Sequence, residues 1–144
     1  MKHLMKVWII GYFLLCSTSV AAQAQDKKPI LLNIKNIQQA KGRIMIAVYD
    51  NKQDYMKNPV HICQQKVDAL GEQKIVTEMP YGNYAFTVFH DLNDNEELDT
   101  NFMGIPKEPY GFSNNPKATF GPPGFTAALV DFQKSNQEIE IQLK

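Results

Sequence analysis

Cysteine and tryptophan are scarce in this chain, and neither one charge sign nor a long apolar run dominates it. Its 144 residues include two cysteines and one tryptophan, with 15 basic and 15 acidic residues. The run from Val7 to Val20 is too short for a membrane-spanning helix, which needs roughly 20 apolar residues. We therefore expect neither a disulfide scaffold nor a transmembrane anchor.

The first 24 residues have the pattern of an export signal. Lys2 and Lys6 precede the apolar run, and the small residues Ala22 and Ala24 follow it. This order is typical of a signal peptide, and we expect cleavage after Ala24. The sequence thus predicts a signal peptide over 1–24 and a single domain over 25–144, exported to the periplasm, the cell surface or the extracellular space.

Removal of the signal peptide changes the charge and the cysteine count. Loss of Lys2 and Lys6 leaves 15 − 2 = 13 basic residues against 15 acidic ones, a net charge of −2. A nucleic-acid partner is therefore not expected. Cys63 remains as a lone cysteine within an apolar stretch, which favours a buried thiol without an internal disulfide.

The mature chain consists of short strand-like segments rich in β-branched and aromatic residues. They are Pro29 to Ile37, Arg43 to Tyr49, Val60 to Val67, Lys74 to Met79, Asn83 to His90, Phe125 to Phe132 and Glu138 to Leu143. This pattern predicts an all-β fold, an antiparallel β-sandwich of about seven strands with one long ordered loop. Phe125 to Phe132 also fits a short helix. We expect the first two strands to form a hairpin across Lys41-Gly42, and the last one to complete a sheet.

The long loop runs from Leu92 to Lys117 without a regular period. Segments of this length without secondary structure are uncommon in compact domains and are usually functional or disordered. Its apolar residues favour an ordered loop that packs over the sheets. These residues are Phe102, Met103, Ile105, Tyr110 and Phe112.

Five acidic residues and two asparagines lie together between positions 91 and 99. Oxygen ligands at alternate positions of a tight loop are typical of calcium sites. The predicted ligands are Asp91, Asn93, Asn95, the backbone carbonyl of Glu97, and Asp99. Glu96 stands where such loops need glycine, and Phe102 stands where they have a bidentate glutamate, so the site would be weak. The alternative is a turn built by local asparagine and aspartate hydrogen bonds, with its acids in solvent.

Distinctive motifs occupy Gly82 to Phe86, His90 to Asn95 and Gly104 to Asn115, and Asp99 lies between the last two. Together these residues closely resemble a bacterial exported family known as domain of unknown function 2141. The resemblance implies secretion and a small β-rich fold, and no activity or catalytic residues. The proline-glycine-tyrosine entry into a strand is also similar to that of transthyretin-like and immunoglobulin-like accessory modules, at the level of fold only.

Two further groups of residues could carry function. The first is an aromatic and acidic ligand site of Tyr81, Glu108, Tyr110 and Phe112, which suits a glycan, a peptide or an envelope protein. The second is a pair of carboxylates for hydrolysis, chosen from Asp91, Asp99 and Glu108. His90 cannot pair with its neighbour Asp91, because adjacent side chains on a strand point to opposite faces. We expect His90 to bond loop backbone instead.

The sequence therefore favours a monomeric binding or accessory module without enzymatic activity, and with calcium in a structural role. The alternative is a small cell-envelope hydrolase that uses the loop carboxylates. A hydrolase would require two of those carboxylates to line one concave pocket.

Overall fold

The computed structural model describes residues 25–117 and 120–144, so the expected signal peptide lies outside the described residues. Within these ranges the chain forms eight strands and one short helix. The elements are β1 Lys28–Ile37, β2 Arg43–Tyr49, β3 His61–Lys66, β4 Gly71–Met79, β5 Gly82–Asp91, β6 Tyr110–Phe112, α1 Phe125–Ala128, β7 Leu129–Phe132 and β8 Gln137–Gln142.

The strands form two sheets, which confirms the predicted sandwich. The first has the order β4-β1-β8, and the second has the order β3-β2-β5 with both β6 and β7 paired to the far side of β5. Apolar and polar residues alternate along the strands, so the apolar faces of the two sheets meet and form the core between them. In β8, for example, Ile139 and Ile141 are buried while Glu138 and Glu140 are exposed. The strand completes an edge of the first sheet, as predicted, although it pairs with β1 in parallel.

The predicted hairpin between β1 and β2 is wrong. β1 pairs with β4 and β8, whereas β2 pairs with β3 and β5 in the other sheet. Gly42 lies in the connection with a φ of 66°. Each strand buries one apolar face. Two such strands can lie side by side in one sheet or face each other across the core in different sheets. The turn residues between them do not determine which arrangement forms.

The segment from Phe125 to Phe132 contains both predicted alternatives in succession. A four-residue helix over Phe125–Ala128 is followed by the strand Leu129–Phe132. The three-residue strand β6 was not predicted. It lies inside the long loop and pairs with Thr87, Val88 and Phe89.

The long loop is only partly packed over the sheets. Tyr110 and Phe112 are half-buried, as the sequence predicts, but Phe102 is 97% exposed, Met103 66% and Ile105 52%. The prediction that these three side chains pack down is therefore wrong. Polar side chains order the loop instead, and the apolar tip is left in solvent.

Candidate functional site

Asp91 is the first residue of the acidic loop and is fully buried. Its Oδ1 accepts a hydrogen bond from the backbone N–H of Asn95 at 3.2 Å, and its Oδ2 accepts one from that of Glu96 at 2.9 Å. A buried carboxylate is stabilised by such charge-assisted bonds. Asp91 therefore closes the turn of the acidic loop.

The other predicted calcium ligands meet beside this turn. The amide nitrogens of Asn93 and Asn95 donate to the two carboxylate oxygens of Asp99, at 2.7 and 3.1 Å. Glu97 is exposed, and its backbone N–H donates to Oδ1 of Asn95 at 3.0 Å. The four predicted side-chain ligands thus lie together, linked by hydrogen bonds. Among residues 25–117 and 120–144, no group of three or more His, Cys, Asp or Glu side chains is arranged to hold a metal ion.

Two of the three exposed acids of the loop, Asp94 and Glu96, pair with a single arginine, and Glu97 does not. Nε of Arg43 lies 2.8 Å from Asp94, and its Nη1 lies 3.5 Å from Glu96 and donates to Gln64 at 2.7 Å. Asp94 and Glu96 both have positive φ, at 60° and 64°. Glu96 therefore adopts the strained conformation that the sequence suggested at the missing glycine. Arg43 relieves part of the repulsion that a cation would otherwise have to offset.

Glu108 connects the two ends of the acidic loop. Its side chain is buried, and Oε1 accepts from the backbone N–H of Leu92 at 2.8 Å while Oε2 accepts from that of Asp99 at 3.1 Å. Both carboxylate oxygens are therefore used within the fold. This geometry leaves Glu108 inside the loop, away from a position in which it would contact a ligand.

His90 is buried and bonds loop backbone, as predicted. Its Nε2 lies 2.7 Å from the carbonyl oxygen of Lys41. A carbonyl only accepts hydrogen bonds, so Nε2 carries the proton. His90 thereby attaches the end of β5 to the connection between the sheets.

Three polar residues after β6 attach the loop to the sandwich, a role that the sequence reasoning missed. Ser113 is buried, accepts from the backbone N–H of Phe86 at 2.9 Å and donates to the carbonyl of Ala128. The amide of Asn114 donates to the carbonyl of Leu129 at 2.8 Å. The amide of Asn115 accepts from the N–H of Gln142 at 2.8 Å and donates to the carbonyl of Glu140 at 3.1 Å. Asn115 therefore acts as a strand partner for the edge of β8.

A concave apolar groove lies on the outer face of the five-stranded sheet. β6 forms part of its floor, where Tyr110 pairs in register with Phe89, and the neighbouring residue Val88 points to the core. Since successive side chains alternate, Tyr110 and Phe112 lie on the opposite, outer face. Their rings meet edge-on at 5.9 Å. The groove has a volume of about 440 Å³, which is within the size range of ligand pockets.

Three loops form the walls of the groove. The lining residues besides the floor are Met56, Leu98, Thr100, Met103, Gly104, Ile105, Pro106, Gly121 and Pro122. The turn that carries Met56 is fixed by Tyr55, whose ring packs edge-on against Tyr49 at 5.4 Å and Phe125 at 5.6 Å. Burial raises the pKa of Tyr55 to about 12. Among the described residues that line the groove, carbon atoms dominate the surface and no side chain is charged.

The structure separates the four predicted ligand residues. Tyr110 and Phe112 form the groove floor, and Glu108 is buried beside them in the chain. Tyr81 is 45% exposed and packs against Phe132, at 5.1 Å between ring centroids. It precedes β5, whereas Tyr110 pairs near the end of that strand, so Tyr81 does not belong to the groove.

Cys63 and His61 show no catalytic arrangement. Cys63 is half-buried against the core, and burial raises the pKa of its thiol. Only the thiolate is a strong nucleophile, so this environment favours an unreactive thiol. Nε2 of His61 lies 2.9 Å from Oγ1 of Thr77 and links β3 to β4 across the two sheets.

The fold and the groove define a two-sheet β-sandwich with a loop-walled cleft on one outer face. Comparison with protein-family models matches residues 32–140 to an uncharacterized protein family conserved in bacteria, DUF2141. The chain belongs to this family, as its motifs indicate. No curated protein and no solved structure matches it, so the likeness to transthyretin-like and immunoglobulin-like modules stays a prediction. Across the described ranges, every helix lacks the length or hydropathy needed to traverse a bilayer.

Proposed function

We propose that this chain is an exported binding module without enzymatic activity, and that its binding site is the apolar groove. The observation that supports the proposal is the groove itself, in which an aromatic floor and three apolar walls surround one cavity on the outer face of the sandwich. Aromatic and methionine side chains adapt well to apolar partners. The ligand is the apolar part of a peptide or an envelope component. A glycan fits less well, because the lining offers few polar groups for its hydroxyls.

The hydrolase alternative has little support from the carboxylates. Asp91 and Glu108 are buried, and each uses both oxygens to accept backbone N–H groups. Asp99 bonds two asparagine amides. None of these three carboxylates is part of the groove lining. A general acid or base must reach the reacting atoms, and these side chains act on the loop itself.

Aspartates in the groove are expected to abolish the binding of apolar ligands. Met103 and Ile105 are at least half exposed, so Met103→Asp with Ile105→Asp keeps the fold but puts charge into the lining. Binding of the neutral fluorescent probe N-phenyl-1-naphthylamine is expected to weaken at least about tenfold.

The matched control is Ile62→Asp with Val76→Asp, at two exposed apolar positions outside the groove. This variant is expected to bind the probe like the unmodified protein. Equal binding by the two double variants would contradict the groove as the site, and so would the failure of the unmodified protein to bind the probe.

We further propose that the acidic loop binds calcium weakly and in a structural role. The supporting observation is the convergence of Asn93, Asn95 and Asp99 beside Asp91. A 180° rotation of each asparagine amide turns its oxygen toward Asp99 and gives up the bond that this oxygen accepts from the backbone N–H of Asn95 or Glu97. Calcium would offset this loss, because the rotated amides supply the oxygen ligands that it prefers. An affinity near 10⁻⁴ to 10⁻³ M is of the order found in extracellular modules.

Calcium at about 5 mM is expected to raise the melting temperature by several degrees, since ligand bound only to the folded state stabilises it by about 1–2 kcal/mol at this affinity. Thermal melting with calcium and with chelator measures the shift. Asp99→Asn is expected to remove the shift and the exposed Asp68→Asn to retain it. An identical midpoint with calcium and with chelator would eliminate the calcium proposal and leave the hydrogen-bonded turn.

A further inference from the structure

The exposed methionines of the described chain lie together in the groove. Four methionines fall within residues 25–117 and 120–144, at positions 45, 56, 79 and 103. Met56 is 45% exposed and Met103 is 66% exposed, and both line the groove. Met45 is half-buried on β2 and Met79 is buried in the core, and neither is part of the lining. The accessible thioethers are therefore concentrated at one site.

Ordered turns hold these two methionines at the walls of the groove. The backbone N–H of Met103 donates to Oδ1 of Asn101 at 2.9 Å, and the same oxygen accepts from the N–H of Ile105 at 3.0 Å. Met56 follows Tyr55, whose ring packs edge-on against two other aromatic rings. Met56 also has a φ of 60°, a conformation that residues other than glycine seldom adopt. The fold thus fixes the backbone of both residues where their side chains border the same cavity.

An accessible thioether reacts with hydrogen peroxide, a two-electron oxidant, to give a sulfoxide. Sulfur donates an electron pair to one peroxide oxygen, so an S–O bond forms as the O–O bond breaks. The proton of the transferred oxygen passes to the departing hydroxide, which becomes water. Sulfur is oxidised by two electrons and the peroxide is reduced by two. A flexible apolar side chain thereby becomes a polar one, and a polar group in an apolar groove disfavours an apolar ligand.

We propose that Met56 and Met103 form a methionine oxidation site, at which a small peroxide converts the groove lining from apolar to polar. The inference deepens the proposed function, because it rests on the groove being a binding site and adds a means of regulating it. The reduced protein binds its apolar ligand, and the oxidised protein releases it. Reduction of the two sulfoxides restores the apolar lining.

The test is mild treatment of the protein, expressed from the full chain, with hydrogen peroxide, which is removed before binding is measured. Tandem mass spectrometry locates the added oxygen, which is expected at positions 56 and 103 before positions 45 and 79. Fluorescence titration is expected to show binding of N-phenyl-1-naphthylamine at least about tenfold weaker after oxidation. Incubation with methionine sulfoxide reductases A and B is expected to restore binding. The melting temperature is expected to change little, because both oxidised side chains are exposed.

Leucine variants separate the groove methionines from the other two at nearly constant side-chain volume. Met56→Leu with Met103→Leu is expected to bind the probe like the unmodified protein and to keep this binding after peroxide treatment. Met45→Leu with Met79→Leu, the matched control, is expected to lose binding after peroxide treatment, as the unmodified protein does. Cys63 is present in every variant, so its oxidation cannot account for a difference between them.

Three results would overturn the proposal. They are oxidation of Met45 or Met79 as fast as that of the groove methionines, unchanged probe binding by protein oxidised at both groove positions, and equal peroxide sensitivity of the two leucine double variants. Failure of the untreated protein to bind the probe is a separate result. It removes the proposed function of the groove, and this inference with it, whereas equal binding before and after oxidation removes the inference alone.

Discussion

Gly42→Ala is expected to lower the free energy of unfolding by about 4 kcal/mol, the largest effect of any single substitution considered for this fold. A Cβ at this position would lie 2.0 Å from the backbone carbonyl oxygen of Asp91. That oxygen belongs to the end of β5 and has no side-chain freedom with which to move away. Gly42 also has a φ of 66°, a conformation that side chains disfavour. The substitution therefore separates the connection from the start of the acidic loop.

Substitutions at two other glycines distinguish the cost of the steric clash from the cost of backbone strain. Urea denaturation measures the free energy of unfolding of each variant. Gly71 has a φ of 92°, and no atom lies within 4 Å of the point that a Cβ would occupy, so Gly71→Ala is expected to cost about 1 kcal/mol from backbone strain alone. Gly124 has a φ of −67° and equally open surroundings, so Gly124→Ala is expected to be neutral. If Gly42→Ala costs no more than Gly71→Ala, the close approach of Gly42 to Asp91 is wrong.

Glu108→Gln is expected to lower the free energy of unfolding by about 2–3 kcal/mol. The buried carboxylate accepts from the N–H groups of both Leu92 and Asp99, and an amide can accept from only one of them. The other N–H then faces an NH₂ group, and a buried donor without an acceptor costs about 1–3 kcal/mol in addition to the lost charge-assisted bond. Chemical denaturation measures the loss, and faster hydrogen exchange is expected at the amides of Leu92 and Asp99.

Glu97→Gln is the matched control for this prediction. Glu97 lies in the same loop and is exposed, so its replacement is expected to change stability by less than about 0.5 kcal/mol. A Glu108→Gln variant as stable as the Glu97→Gln variant, with unchanged exchange at both amides, would refute the structural role of Glu108.

The strands of the fold could be predicted because their residues alternate. Ile139 and Ile141 among glutamates, for example, specify both a strand and its buried face. Pairing between strands could not be predicted in the same way. β1 and β2 each present one apolar face, and only the registers of β1 with β4 and of β2 with β5 decide that they belong to different sheets. These are contacts between distant parts of the chain, about which turn residues carry no information.

The acidic loop was located correctly, and its local geometry was partly predictable. The alternate spacing of Asp91, Asn93 and Asn95 indicated a tight turn, and the structure shows that turn closed by side-chain to backbone bonds. The roles of Arg43 and Glu108 were not predictable from spacing. Arg43 lies on β2, 51 positions before Asp94, and meets it only because β2 and β5 are neighbours.

The groove was missed for a related reason. Tyr110 and Phe112 were recognised as candidate ligand residues, but the walls come from three segments separated along the chain. The sequence did contain an indication that this loop exposes apolar residues. Phe102, Met103 and Ile105 lie in a loop that also contains glycine and proline, and such a loop need not bury its apolar residues.

The motif residues most suggestive of chemistry act on the protein's own backbone. His90, Asp91, Glu108 and Ser113 are buried and bond main-chain groups. They hold in place the loop whose apolar side chains form one wall of the groove. On this account the family motif specifies the shape of a binding face.

A two-dimensional ¹⁵N–¹H NMR titration with N-phenyl-1-naphthylamine tests most directly the proposal that the groove over β6 is the binding site. The largest amide shifts are expected at residues that line the groove, namely Leu98, Met103, Ile105, Tyr110 and Phe112. Shifts concentrated instead on the edges of β3 and β4, or confined to residues 91–97, would contradict it.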